Sequence, residues 1–197
     1  MFEISNLPKI QNFLMNETPN AGKVLIAEPF LGDPNFERSV VLICEHNDEG
    51  SFGLVLNNVS KNTIADVVDD IYVEFPLFIG GPVEQNTLHF VHRLGHLIED
   101  SIDLGNGIFW SGDFETVKSL LSIGSIKSED IRFFIGYSGW GAGQLANELA
   151  QNTWILSDIN SEVLFEEYTN QFWRTVLKRM GGDYKVLANY PVDPRLN

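Results

Sequence analysis

A chain of 197 residues, 44% hydrophobic and 12% aromatic, can bury a sizeable core and fits one large domain more easily than two small ones. Its 27 acidic and 13 basic side chains leave a formal charge of −14, which repels phosphate backbones and anionic lipid and so argues against direct nucleic-acid or membrane contact. Cys44 is the single cysteine, so no intrachain disulfide can form, and no apolar leader or span of roughly 18 residues appears; the expected compartment is the cytoplasm.

Residues 1–20 read as a short helix and a turn ended by ETPNAG. KVLIAEPFL is a buried-strand run, and RSVVLICEH and FGLVLNNV flank NDEGS, for which a hairpin is the simplest connection. Cys44 falls in the first of these hairpin strands, where a small buried thiol is ordinary. The period then changes: Ile64, Val67, Val68 and Ile71 fall at helical spacing behind Asn62 or Thr63 as N-cap. PLFIGGPV is a short strand broken by paired glycines, and TLHFVHRL and GIFWSG are two more strands around an acidic turn. Asp113 can cap the helix FETVKSLL, which Gly124 closes.

DIRFFIGY follows as a strand, then a glycine loop, the helix AGQLANELAQ and the strand TWILS. Residues 162–180 read as one amphipathic helix, with Glu162, Glu166 and Glu167 early and Arg174, Lys178 and Arg179 late, the order that suits a helix dipole. Gly181 and Gly182 stop it, and the tail YKVLANYPVDPRLN is irregular. Strands come first in a run and then alternate with helices. The expected class is α+β with a mixed sheet.

The stretch FFIGYSGWGAGQLANEL, residues 133–149, raises the functional question. Gly141, Gly143 and Ala146 imitate a dinucleotide fingerprint, with Asp158 as the ribose acid, but such a fold needs further βα units and only one helix and a tail remain. Ser138 sits on a strand-to-helix turn as a nucleophile would. Trp140 crowds the turn, however, and no histidine follows His96. His89, His92 and His96 suggest a zinc site, yet on one strand His89 and His92 point to opposite faces. The C-terminal basic residues are explained more simply as the end of an amphipathic helix than as a nucleic-acid patch.

What remains is bare backbone and amides: Asn57, Gly80, Gly81, Ser138, Trp140, Gln144 and Glu148, the last two on one helix face. Either the glycines turn the chain while Trp140 packs in the core, or they let a peptide segment or small ligand approach the main chain. Both readings stand on the residues alone.

The ordered set GKVLIAEP, FERSVVLICEH, GLVLN, GGPV, SGD, GYSGWGAGQLANEL, Trp154 and the pair Phe172–Trp173 resembles the YqgE/AlgH family of small bacterial proteins over about residues 20–180. The chain departs from that pattern at Ser138, where alanine is usual, and at Ala146, where glutamate is. The resemblance implies one α+β domain spanning residues 1–197, with a mixed, strongly curved β-sheet flanked by helices and no established biochemistry; from the residues, no cofactor or metal is expected. Some members carry the label of transcriptional regulator. With no helix-turn-helix pattern and the wrong sign of charge, regulation would run through a protein partner or small ligand and not through direct DNA contact. The alternative is an enzyme of unknown class using the same cleft, with Glu148 or His92 as its titratable group.

Overall fold

The structure, a computed structural model, describes residues 18–166 and 169–191. Apolar, β-branched runs make the central strands β1 (Lys23–Ala27), β2 (Val40–Asn47) and β3 (Gly50–Val55). VLIA in β1 and VVLIC in β2 are buried at every position, the mark of strands covered on both faces. β2 and β3 form the expected hairpin, its turn held by Asn47 Oδ1, which accepts from the amides of Glu49 at 2.8 Å and Gly50 at 3.2 Å.

Beyond the hairpin, β4 (Val59–Thr63) pairs with β5 (Pro76–Ile79), and β5 lies parallel to β9 (Ile131–Gly141). β6 (Val83–His92) runs antiparallel along the other edge of β9, followed by β8 (Ile108–Trp110) and β7 (Ile102–Gly105). β10 (Trp154–Asp158) flanks β1. The order is β10-β1-β2-β3-β9-β6-β8-β7, with β4 and β5 branching from β9. Among the described residues the β5–β9 pairing is the one parallel contact, so the sheet is mixed. Helices α1 (Phe114–Ser122), α2 (Gln144–Ala150), α3 (Ser161–Leu164), α4 (Phe172–Met180) and α5 (Tyr184–Leu187) complete an α+β fold.

The sheet curls until its two ends meet. Asn106, just after β7, donates from Nδ2 to Ile159 O at 3.1 Å and accepts from Ser161 N at 3.1 Å. At the same seam a side chain on Gly22 would begin 1.9 Å from Leu104 O. The inner face of this half-barrel gathers Val24, Leu42, Leu54 and Phe134 under Trp173, Val176 and Leu177 of α4. Outside, one cluster packs Leu77 and Phe133 against Val117 and Leu121 of α1. A second packs Val41, Ile43, Trp140 and Trp154 against Leu145 of α2.

β9 changes parity between these layers. Phe134 and Trp140 would share a face in a regular strand, yet they belong to inner and outer clusters respectively. The alternation breaks at Gly136, φ +65°, where the register with β6 slips and residues 84–87 lie opposite this one residue.

Several sequence expectations need correction. The glycine loop is largely strand: β9 continues through Gly139 to Gly141, paired with Gly50–Gly53 of β3. Ile64–Ile71 forms only a 3-10 turn, Ile64–Asp66: Thr63 N and Oγ1 donate to Asp66 Oδ2 at its start, and the chain turns left-handed at Asp70, φ +65°. Residues 162–180 hold two helices, α3 and α4. Asn160 caps the first at 3.0 Å from Val163 N, and both bury their apolar side chains in the inner core, so two short helices satisfy the pattern that suggested a single long one. The acidic turn contains β7, and the tail contains α5. The expected N-terminal helix falls mostly outside the described residues. Asp113 caps α1 as expected, accepting from Thr116 N at 2.9 Å, and Gly124 closes it at φ +69°.

Candidate binding surface

The structure divides the seven residues singled out above among three places. The Asn57 side chain clamps the approach to β2, accepting from Val40 N at 2.8 Å and donating to Arg38 O at 2.9 Å. Gly80 and Ser138 form the branch point where β3 and β5 both abut β9: Gly80 N donates to Ile135 O, and Gly80 O accepts from Val55 N at 2.9 Å and Ser138 Oγ at 3.0 Å. A Cβ on Gly80 would sit 2.4 Å from Gly136 O, and one on Gly81 2.2 Å from Tyr137 O. These glycines let protein backbone approach closely. Ser138 is fully buried.

Trp140, Gln144 and Glu148 form the third group, on the outer face. The Glu148 carboxylate accepts from the indoles of Trp140 at 2.9 Å and Trp154 at 2.7 Å and from Gln144 Nε2 at 2.9 Å. Gln144 Oε1 in turn accepts from Gly141 N at 3.1 Å. This network binds α2 to β9 and β10. Its donors are neutral, and both indoles are nearly fully buried.

The histidines separate as the strand alternation requires. His92 is buried among Phe90 and Phe109; its Nδ1 accepts from Leu94 N at 3.1 Å, so Nε2 carries the proton and donates to Ser111 O at 2.9 Å. Burial pushes this imidazole below its ordinary pKa, partly offset by the Ser111 bond. Glu148 and His92 both spend their polar atoms on hydrogen bonds within the fold. No cluster of three metal-ligating side chains occurs among the described residues. Two hollows, of about 640 Å³ beside Arg132 and about 330 Å³ beside Arg179, are lined by none of the seven residues.

The bare backbone of Gly139 adjoins the Tyr137 ring, and that of Gly53 the Trp140 ring. Gly139 pairs with Phe52, is exposed, and would place a Cβ 3.4 Å from the Tyr137 ring. The Phe52 ring meets Tyr137 at 4.7 Å, His89 at 5.1 Å and Trp110 at 5.1 Å between centroids. All four side chains are only partly buried. They lie on β3, β9, β6 and β8, with Phe52, Trp110 and Tyr137 packed against the inner cluster that α4 covers. Thr87 fixes the histidine: its hydroxyl donates to Glu84 O at 2.8 Å, leaving Oγ to accept from His89 Nε2 at 3.0 Å. Burial also lowers the His89 pKa, opposed by the nearby Glu84 charge.

Sequence reasoning missed this surface because its four rings come from four strands. The available signal was inward alternation in FGLVLN and TLHFVH, and it is hidden in β9 by the parity change at Gly136.

A family profile described as AlgH-like matches residues 24–185. The chain belongs to this family. UPF0301 proteins from Cytophaga hutchinsonii and Bacteroides thetaiotaomicron are similar to it, at 51% identity over 89% of this chain and 98% of the relative, and at 38% over 98% of each. Among solved structures, a protein from Corynebacterium diphtheriae superposes with a TM-score of 0.75 at 25% identity, covering 89% of this chain and 94% of that one. The solution structure of AlgH from Pseudomonas aeruginosa gives 0.68 at 26%, covering 89% and 97%. The matched residues 24–185 take in nearly all of the strands and helices described above.

Proposed function

We propose that this AlgH-like protein is a cytoplasmic binding or regulatory protein that acts through a protein partner and not by direct contact with DNA. The observation that carries this reading is the part-exposed group of Phe52, His89, Trp110 and Tyr137 on the inner face of the sheet. Aromatic side chains are large and amphipathic, lose little entropy on contact, and are enriched where proteins hold one another. Gly139 beside them leaves room for a partner's main chain. The formal charge of −14 supports a protein partner over nucleic acid, and no described helix is long and apolar enough to cross a membrane.

The test is affinity capture from native lysate with wild type beside Tyr137→Ser, followed by reconstitution with the purified captured protein. The expected result is a partner that binds wild type directly and binds the variant at least ten-fold more weakly, with little change in melting temperature. Equal binding by the two proteins would remove the surface from the proposal.

A further inference from the structure

The aromatic surface has a charge of its own. Across β2, β3, β6, β8 and β9, which carry or flank it, the only acidic or basic side chains apart from histidine are Glu45, Glu84 and Arg132. Arg132 is buried five residues before Tyr137, stacked between Phe78 at 5.1 Å and Phe172 at 5.6 Å under α4. At the strand rise of about 3.3 Å per residue, it lies roughly 16 Å away along β9. Glu45 is the direct cross-strand neighbour of Phe52 and therefore projects from the same face, and it is exposed. Glu84 follows Val83, the cross-strand neighbour of Tyr137; it is exposed too, and its carbonyl accepts from the Thr87 hydroxyl that also bonds His89. These strands thus bring two carboxylates to the neighbourhood of the rings and no basic side chain nearer than Arg132.

We propose that the occupant of this surface is an arginine-bearing peptide segment of a partner protein, its guanidinium against the exposed side of the Tyr137 ring and between Glu45 and Glu84. The inference rests on the partner-binding reading above and adds its chemistry. A cation over an aromatic face gains from the ring quadrupole, most where water is excluded. A planar guanidinium can stack on a ring while its edge pairs with a carboxylate, which an ammonium cannot do. Extended backbone beside Gly139 meets no side chain there, so the arginine can reach inward while its main chain stays at the rim.

The probes are pools of octapeptides with a fixed central arginine, and matched pools with citrulline or glutamate at that place. Binding to the full chain is followed by NMR at the amides of Tyr137 and Gly139 and at the indole N–H of Trp110, which has no hydrogen-bond partner among the described residues. The expected result is at least ten-fold preference for arginine over citrulline, no shift with glutamate, and loss of the preference in Glu45→Gln/Glu84→Gln. The paired isosteres keep the fold and the rings. Equal binding of arginine and citrulline pools would overturn the cationic occupant and leave the partner-binding reading intact. Failure of every pool would also overturn the proposal, and if Tyr137→Ser still binds the reconstituted partner, the surface reading falls as well. Shifts at these signals that grow with protein concentration alone would place a second copy on the surface, and contacts from residues 1–17 to the Phe52 ring would place the chain's own segment there; either outcome overturns it.

Discussion

At the scale of single residues, two glycines of the same strand neighbourhood have opposite tolerances. A methyl group on Gly80 would start 2.4 Å from Gly136 O and 2.9 Å from Leu54 Cδ2, at the point where two strands join a third. Gly80→Ala should cost about 1–3 kcal/mol, as overpacking does. Gly141 has open space to Gln144 Oε1 at 4.0 Å, so Gly141→Ala should leave the melting temperature within about a degree or two, consistent with a surface change below about 0.5 kcal/mol. Paired thermal melts decide the matter, and a large loss for Gly141→Ala would contradict the strand assignment.

His92 ties stability to pH. Its pKa is lowered in the folded state, so the unfolded chain takes up a proton that the folded chain resists. The neutral imidazole's contribution is fully present above the unfolded pKa, about 6.5, and is lost as pH falls below it toward the folded value. Urea melts between pH 7.5 and pH 5 should show stability falling with acid, and His92→Gln should flatten that slope while lowering stability throughout. An unchanged slope would assign the effect elsewhere, His89 being the other imidazole with a lowered pKa. Cys44 is 2% exposed, and burial holds its thiol well above the ordinary range. A thiol reagent should label the native protein far more slowly than the urea-unfolded chain; comparable rates would mean that β2 opens readily.

At the scale of elements, α2 is held mainly through one carboxylate. Its helix is only seven residues long, has Gly143 at φ +71° as its N-cap with no side-chain cap, and buries only Leu145 fully. Glu148→Ala would leave the indole N–H groups of Trp140 and Trp154 without an acceptor, at about 1–3 kcal/mol for each buried donor. Glu148→Gln retains one acceptor oxygen and should lose less. Melting temperature and tryptophan emission together read the outcome: Glu148→Ala should lower the first and shift the second to the red. An alanine variant as stable as the wild type would show that the apolar contacts of α2 suffice. Gln144→Ala, at an exposed position, should change little.

For the whole molecule, charge and closure of the sheet set the behaviour. With a formal charge of −14, binding to duplex DNA in an anisotropy titration at about 150 mM salt should be absent or weaker than micromolar. Sub-micromolar, sequence-dependent binding would refute the partner-mediated reading. Much of this molecule was legible in the chain because strand runs such as VVLIC, the NDEGS hairpin and the Asp113 cap are local features, fixed by side-chain period and by hydrogen bonds a few residues apart. The α+β class and the opposite faces of His89 and His92 follow from the same periods, and so does the burial of Cys44. The candidate site was not legible in that way. Asn57, Gly80 and Trp140 look alike in sequence, as bare or amide-bearing positions near strand ends, but their roles depend on which strand lies alongside, and residues far apart in the chain decide that. Gly136 illustrates the limit: one left-handed residue opposite a register slip turns Trp140 outward and leaves Tyr137 inward. Only tertiary pairing could therefore place Phe52, His89, Trp110 and Tyr137 together, since alternation assigns faces within a strand whereas the curl of the sheet decides which faces meet.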